Sequence, residues 1–249
     1  MTKSFECYGL DRVNYERCTE CGCVHARTLL DLSEAEWGNL CRAYHGGYRG
    51  QGVNPHDPRA SQRLDRQAEV LLALSQQGML PTQSEWLDFG CGEGELLNRL
   101  NQSGLRVSGY DPYWDAASHL SPADLLPGRF PVVLNTATLE HLRDRESLDR
   151  LGSLVSDHGV LALHTLVRGE IPSDPDWFYL LPVHTLMFTN RAMSLLFEQW
   201  SFDCSLYAIE ARLWLWFRQP RLEALQKIIL ETHRLEDWKT TRGFLAYWP

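Results

Sequence analysis

The sequence predicts an α/β fold, a parallel sheet with helices on both faces, preceded by a small Cys-rich N-terminal module. Three observations predict it. Helix-like and strand-like runs alternate from residue 59 onward, the mark of βαβ units. A glycine-rich turn, Asp88-Phe89-Gly90-Cys91-Gly92-Glu93-Gly94, stands between the first strand and the helix after it. Four of the seven cysteines (Cys7, Cys18, Cys21 and Cys23) fall in the first 23 residues.

The elements follow in order. Ser33 to Tyr44 reads as a helix within the N-terminal region. Ser61 to Leu80 reads as another, with Leu64, Ala68, Leu71, Leu72 and Leu74 at helical spacing. A short strand at 84–89 precedes the glycine turn, and Glu95–Leu100 is the next helix, stopped at Gly104. The second strand, 105–110, ends on Asp111. Phe130–Asn135 is a later strand; Pro131 belongs near its start, because proline cannot donate inside a central ladder. Ser147–Val155 reads as a helix, 159–163 as a strand and Ser205–Phe217 as one further strand. Residues 112–128 are too irregular to place a strand. The implied division is a Cys-rich module over 1–58, closing on the turn-like Asn54-Pro55-His56-Asp57-Pro58, a main domain over 59–217, and a helical and aromatic tail over 218–249.

Composition narrows the function classes. A chain of 249 residues, 44% hydrophobic and 22% charged, can bury a full core. Its formal net charge of −8 argues against a nucleic-acid backbone as the main partner. No apolar run approaches the ~18 residues of a membrane span, and the N-terminus has no apolar signal-like core. The expected location is the cytoplasm, where disulfides are rare, so the clustered cysteines point to metal chemistry.

The glycine turn carries the functional argument. Alternate glycines let the chain turn sharply from strand to helix and approach a ligand closely. Asp111 follows Gly90 by the ~20 residues expected of an acid that binds ribose hydroxyls at the end of the second strand. A dinucleotide fingerprint needs glycine at its sixth position, which here is Glu95. Asp88 would also repel a pyrophosphate, whereas it suits a ligand bearing an ammonium and a sulfonium.

At these residues the chain resembles the class I S-adenosylmethionine (SAM)-dependent methyltransferases, a Rossmann-like family whose glycine motif reads acid-x-Gly-x-Gly-x-Gly. Phe130-Pro131-Val132-Val133 and Leu139-Glu140-His141-Leu142-Arg143-Asp144 resemble the family's fourth strand and following loop, and Ser156-Asp157-His158-Gly159 the turn before its fifth strand. The resemblance spans about residues 60 to 217. It implies SAM as methyl donor, with Gly90, Cys91 and Gly92 facing the donor and Asp88 holding its amino group. Asp111 would bind the ribose, Pro112 or Tyr113 would flank the adenine, and Asn135 and Thr136 would lie near the methionine. Position 131 departs from the family, which often has aspartate there.

Cys18-Thr19-Glu20-Cys21 is a C-x-x-C knuckle with Cys7 upstream, suited to tetrahedral Zn²⁺. It resembles the small zinc-binding module ahead of the catalytic domain in methyltransferases acting on sugars. Those carry two C-x-x-C pairs; here Ser4 stands where the first pair needs a cysteine. Cys23, His25, Cys41 and His45 are candidates for the fourth ligand. The expected set is Cys7, Cys18, Cys21 and Cys41, the last sharing a helix face with His45. In the competing reading the metal is lost and the cysteines are small buried apolar groups.

Methyl transfer to a hydroxyl or an acidic carbon calls for a general base. His184, in the aromatic run Trp177-Phe178-Tyr179-Leu180-Leu181-Pro182-Val183-His184, is the first candidate, His141 the second and His164 the third. The loop over 169–187 would overhang the acceptor. The acceptor class expected is a small molecule, a saccharide or sugar-nucleotide hydroxyl. An RNA-modifying enzyme and a non-catalytic SAM-binding protein are the competing readings.

Overall fold

The computed structural model describes residues 1–47, 57–114 and 119–248. The N-terminal region opens with β1 (Thr2–Phe5), β2 (Leu10–Arg17) and β3 (Val24–Ala26), followed by α1 (Arg27–Leu30) and α2 (Glu34–Gly46). The helix expected over 33–44 is α2. Its start is set by a capping box in which the Ser33 hydroxyl accepts from the Glu36 amide and the Glu36 carboxylate accepts from the Ser33 amide. The turn expected at 54–58 falls mostly outside the described residues.

The main region contains α3 (Ala60–Gln76), β4 (Glu85–Phe89), α4 (Glu95–Gln102), β5 (Arg106–Tyr110), β6 (Phe130–Thr136), α5 (Arg145–Leu154) and β7 (Val155–His164). It continues with β8 (Val167–Arg168), β9 (Leu186–Thr189), α6 (Asn190–Gln199), β10 (Cys204–Ala208), β11 (Leu213–Phe217), α7 (Leu222–Glu231) and β12 (Trp238–Arg242). Seven strands form one sheet in the order β12-β10-β11-β7-β6-β4-β5. The pairs β5–β4, β4–β6 and β6–β7 are parallel, while β7–β11, β11–β10 and β10–β12 are antiparallel. Chain order reverses at β4, since β5 pairs on one side of it and β6 on the other. An open sheet binds its ligand at the carboxyl ends of such strands.

One apolar cluster lies under α3, α4 and α7 and a second under α5 and α6, so helices cover both faces. This explains why β10 and β11 are buried along their whole length. Pro131 sits at an irregularity in the β6–β7 register, between Phe130 and Val132, where its missing donor costs no ladder bond.

Two stretches differ from the sequence reading. Ser205–Phe217 is a hairpin rather than one strand: the chain turns through 209–212 with Arg212 at φ +49°. Alternating Leu and Trp in 213–217 hid this, because both faces are covered and no polar period marks the ends. Residues 218–249, read as a tail, supply α7 and the edge strand β12.

The N-terminal strands do not form a sheet alone. β3 pairs with β9, and β8 completes a five-stranded sheet in the order β1-β2-β3-β9-β8. A third apolar cluster joins Val13, Trp37 and Cys41 to Ile171, Leu180, Val183 and Met187 from the loop after β7 and from β9. That loop therefore packs on the N-terminal module.

Trp238 anchors β12 at 2% exposure in the same cluster as Leu225 and Ile228. Trp238→Ala should lower unfolding free energy by about 3–5 kcal/mol in one cooperative denaturant transition. A loss below ~0.5 kcal/mol would mean that β12 is a separable appendage.

Candidate functional site: a cavity at the strand crossover

A cavity of about 530 Å³ opens at the carboxyl ends of β4, β5 and β6, within the range of small-molecule sites. Its floor is the glycine turn. Gly90, Gly92 and Gly94 have φ of +80°, +52° and +76°, a region that side chains rarely adopt. A Cβ on Gly90 would collide with the Thr138 side chain, whereas one on Gly92 would meet nothing within 4 Å. Gly90 is thus required by packing, and Gly92 presents bare backbone to open space.

The turn is held from the neighbouring strand. The Gly90 and Cys91 amides donate to the Tyr110 carbonyl at 2.7 and 3.2 Å. The Asp111 carboxylate accepts from the Gly92 amide at 3.0 Å and from the Tyr113 amide at 2.9 Å. Each carboxylate oxygen keeps a second lone pair for a ligand hydroxyl.

Asp88, one residue before the end of β4, lies on the cavity wall with only 2% exposure, and its Oδ1 has no hydrogen-bond partner. Burial, and then the negative charge of Asp111, push its carboxyl up to about 7. A buried carboxylate with an unmet oxygen is a site for a cationic group.

The other expected donor-side residues divide. Cys91, Pro112 and Thr136 line the cavity, with Cys91 Sγ 3.4 Å from His119 Nε2. Asn135 does not line it: its amide donates to the Phe89 carbonyl at 3.0 Å and ties β6 to β4. Two wall elements were not anticipated. Thr138 fills the space over Gly90 and donates to the Gly90 carbonyl at 3.2 Å. Helix α2 brings Glu34, Cys41 and His45 to the cavity. Arg143 secures that helix by donating to Glu34 at 2.6 Å and to the Leu30 carbonyl at 3.1 Å, with its guanidinium over the Trp37 ring.

Of the first two candidate bases, His141 lines the cavity; His184 is not part of the cavity wall. The imidazoles meet edge to face at 5.0 Å between centroids. His184 is buried, with Nδ1 2.8 Å from the Tyr179 carbonyl and its ring 4.3 Å from the Tyr179 ring. Burial, and then His184, lower His141 to about 3, so it is a neutral imidazole near pH 7. His164 is tied to the Arg212 carbonyl at 2.7 Å and is held neutral by burial. The run Trp177–Tyr179 packs on the N-terminal cluster and does not overhang the cavity; Phe178 alone is largely exposed.

The expected zinc set is not brought together. Among the described residues, Cys18, Cys21 and Cys23 place their sulfurs within 4.8 Å of one another. Cys7 is exposed on the turn after β1, and Cys41 is buried on α2 beside the main cavity, where burial raises its thiol to about 12. Cys23 joins because the chain doubles back: the Gly22 amide donates to the Cys18 carbonyl with Gly22 at φ +72°, and the Cys18 amide donates to the Cys23 carbonyl. The i, i+4 spacing that favoured Cys41 describes a helix face, and that face turns toward the crossover.

Residues 59–206 match the family model described as a methyltransferase domain. Among solved structures, the chain is similar to the plantazolicin methyltransferase BpumL in complex with SAH, at 12% identity and a TM-score of 0.50, over 84% of this chain and 95% of that one. It is also similar to magnesium protoporphyrin IX methyltransferase (ChlM) from Synechocystis PCC 6803 with bound SAM, at 17% identity and a TM-score of 0.48, over 74% and 97%. A third is phosphoethanolamine N-methyltransferase 2 of Haemonchus contortus, at 16% identity and a TM-score of 0.45, over 84% and 49%. No curated protein matches the chain. Among the described residues no helix is long and apolar enough to cross a membrane. With the glycine turn and Asp111 in place and the family model matching more than half of its length, the chain belongs to the methyltransferase-domain family as a SAM-dependent enzyme.

Proposed function

We propose that this protein transfers the methyl group of SAM to a small acceptor bound at the His141 end of the crossover cavity, the acceptor being a saccharide or sugar-nucleotide hydroxyl. The observation that carries this reading is the unmet, buried oxygen of Asp88 beside the bare backbone of Gly92 and the carboxylate of Asp111. The methionine ammonium of SAM fits Asp88, the ribose hydroxyls fit Asp111, and the chain leaves room at Gly92 for the donor to lie between them.

SAM supplies an electrophilic methyl when bound. The chain's own residues hold the two reactants in line and exclude water. Helix α2, fastened by Arg143, contributes one wall of the cavity. Trp114 brings an aromatic ring to the cavity and Arg42 a guanidinium, a mixture that supports a saccharide. Of the two expected catalytic histidines, His141 lines the cavity and is the one proposed to meet the acceptor, while the His184 ring packs against it edge to face. This reverses the order of preference read from the sequence.

The three-cysteine cluster supports a structural Zn²⁺ held by Cys18, Cys21 and Cys23. Their sulfurs lie within 4.8 Å of one another, close enough to share one ion whose fourth tetrahedral position is left for a ligand outside the trio. Elemental analysis should show bound zinc in the wild type and about one zinc per chain less in the Cys18→Ser/Cys21→Ser double variant; a metal-free, fully folded wild type, or a double variant with unchanged zinc, would refute the assignment.

Asp111→Ala should weaken SAM binding by about 1–3 kcal/mol in calorimetry, since it removes the ribose acceptor and the tie on Gly92. His141→Ala should keep SAM affinity and melting temperature while losing about 10²-fold or more in turnover. Equal turnover by His141→Ala and wild type on a saccharide acceptor would remove His141 from the acceptor end.

A further inference from the structure

At the acceptor end of the cavity, His141 belongs to a group of three ligand-bearing side chains. Glu140, His141 and His184 each place one ligating atom within 4.8 Å of the others. Glu140 is 3% exposed and His184 6% exposed. Glu140 Oε1 accepts from the Tyr179 hydroxyl at 2.8 Å, and Oε2 has no hydrogen-bond partner. A carboxylate buried this deeply with one oxygen unmet is costly unless a cation completes it.

The imidazoles are set for the same purpose. His184 Nδ1 faces the Tyr179 carbonyl at 2.8 Å, so Nδ1 carries the proton and the lone pair lies on Nε2. The His141 ring packs edge to face on the His184 ring at 5.0 Å between centroids. A backbone partner that fixes the tautomer and ring orientation, as Tyr179 does for His184, is the usual support of a metal-bound histidine. The carboxylate has its own orienting group in Tyr179.

The scaffold also brings these residues together deliberately. Thr185, next to His184, donates from its amide to the Glu140 carbonyl at 2.8 Å and from its hydroxyl to the Glu140 and Leu142 carbonyls at 2.9 and 2.6 Å. Its own carbonyl accepts from the Ala26 amide at 2.8 Å. The turn after β6, the strand β9 and the N-terminal module are thereby stitched at the one point where the trio meets.

We propose that Glu140, His141 and His184 form a binding site for a divalent transition-metal ion, distinct from the three-cysteine cluster, with the ion's remaining positions facing the cavity through His141. Two imidazole nitrogens and one carboxylate suit Zn²⁺, Fe²⁺ or Mn²⁺ and leave coordination positions open. Bond lengths of ~2.0–2.2 Å draw the three ligands together from their present spacing. Assigning the open face to an oxygen of the acceptor rests on the proposed methyl transfer; the site itself does not.

Mn²⁺ is the probe, because a hard ion avoids thiolates and so separates this site from the cysteines. Metal-stripped full-length protein should bind one Mn²⁺ per chain by electron paramagnetic resonance. Glu140→Gln and His184→Gln should each weaken that binding on the order of tenfold or more, and Cys18→Ser/Cys21→Ser should leave it unchanged. Crystals of the wild-type protein soaked in MnCl₂ should show an anomalous peak between the three side chains, which keeps the test valid if a variant misfolds. No bound Mn²⁺ in wild-type protein, or a peak elsewhere, overturns the proposal. SAM calorimetry on the same wild-type sample separates the two claims: SAM binding without Mn²⁺ binding rejects only the metal site, and Mn²⁺ binding without SAM binding rejects only the donor reading.

Discussion

The closing of the Gly90–Gly94 turn against the end of β5 is the constraint on which the rest of the site depends. Two amides of the turn share the Tyr110 carbonyl, and the Asp111 carboxylate clamps the Gly92 amide. This brings two acids, Asp88 and Asp111, to one end of the sheet, close enough for Asp111 to raise Asp88. Among the described residues neither acid forms an ion pair, and the Asp88 Oδ1 has no hydrogen-bond partner. The folded state carries that electrostatic cost, which a cationic ligand would offset. Packing fixes the same geometry from the other side, since Thr138 leaves no space for a Cβ at Gly90.

The second organising feature is the sharing of strands between the two sheets. β9 belongs to the chain that follows β7, yet it pairs with β3 of the N-terminal module. The module is therefore a wall of the cavity as well as the carrier of the three-cysteine cluster. Arg143, from the loop after β6, holds α2 in place through Glu34 and the Leu30 carbonyl. The aromatic residues 177–179 that drew attention as an acceptor platform serve this junction: Trp177 and Tyr179 pack into the module's cluster, and the Tyr179 hydroxyl reaches Glu140.

Much of the donor side was legible in the sequence because it is local. The strand, the glycine turn and Asp111 lie within 27 residues of one another, and each obeys a rule of backbone conformation or charge. Pro131 was placed correctly near the start of β6 for the same reason. The acceptor side was less legible because it is assembled from distant segments. Nothing in the spacing of Cys41 shows that α2 turns toward the crossover, and nothing near His184 shows that it stands behind His141. Cys23 was one of four fourth-ligand candidates, and only the αL turn at Gly22 brings its sulfur to Cys18 and Cys21. The hairpin within 205–217 was missed because β10 and β11 are buried on both faces, which erases the polar alternation that marks strand ends.

The central claim is that the buried Asp88 receives the ammonium of SAM. In the free protein its carboxyl is raised to about 7, so at pH 6 it is mostly protonated; a bound ammonium favours the carboxylate and expels that proton. Calorimetric titration of SAM at pH 6, in two buffers of different ionisation enthalpy, measures the proton directly. The account predicts binding with net proton release that fades above about pH 8 and is absent in Asp88→Asn. No binding at millimolar SAM, or binding with no proton released at pH 6, would contradict it.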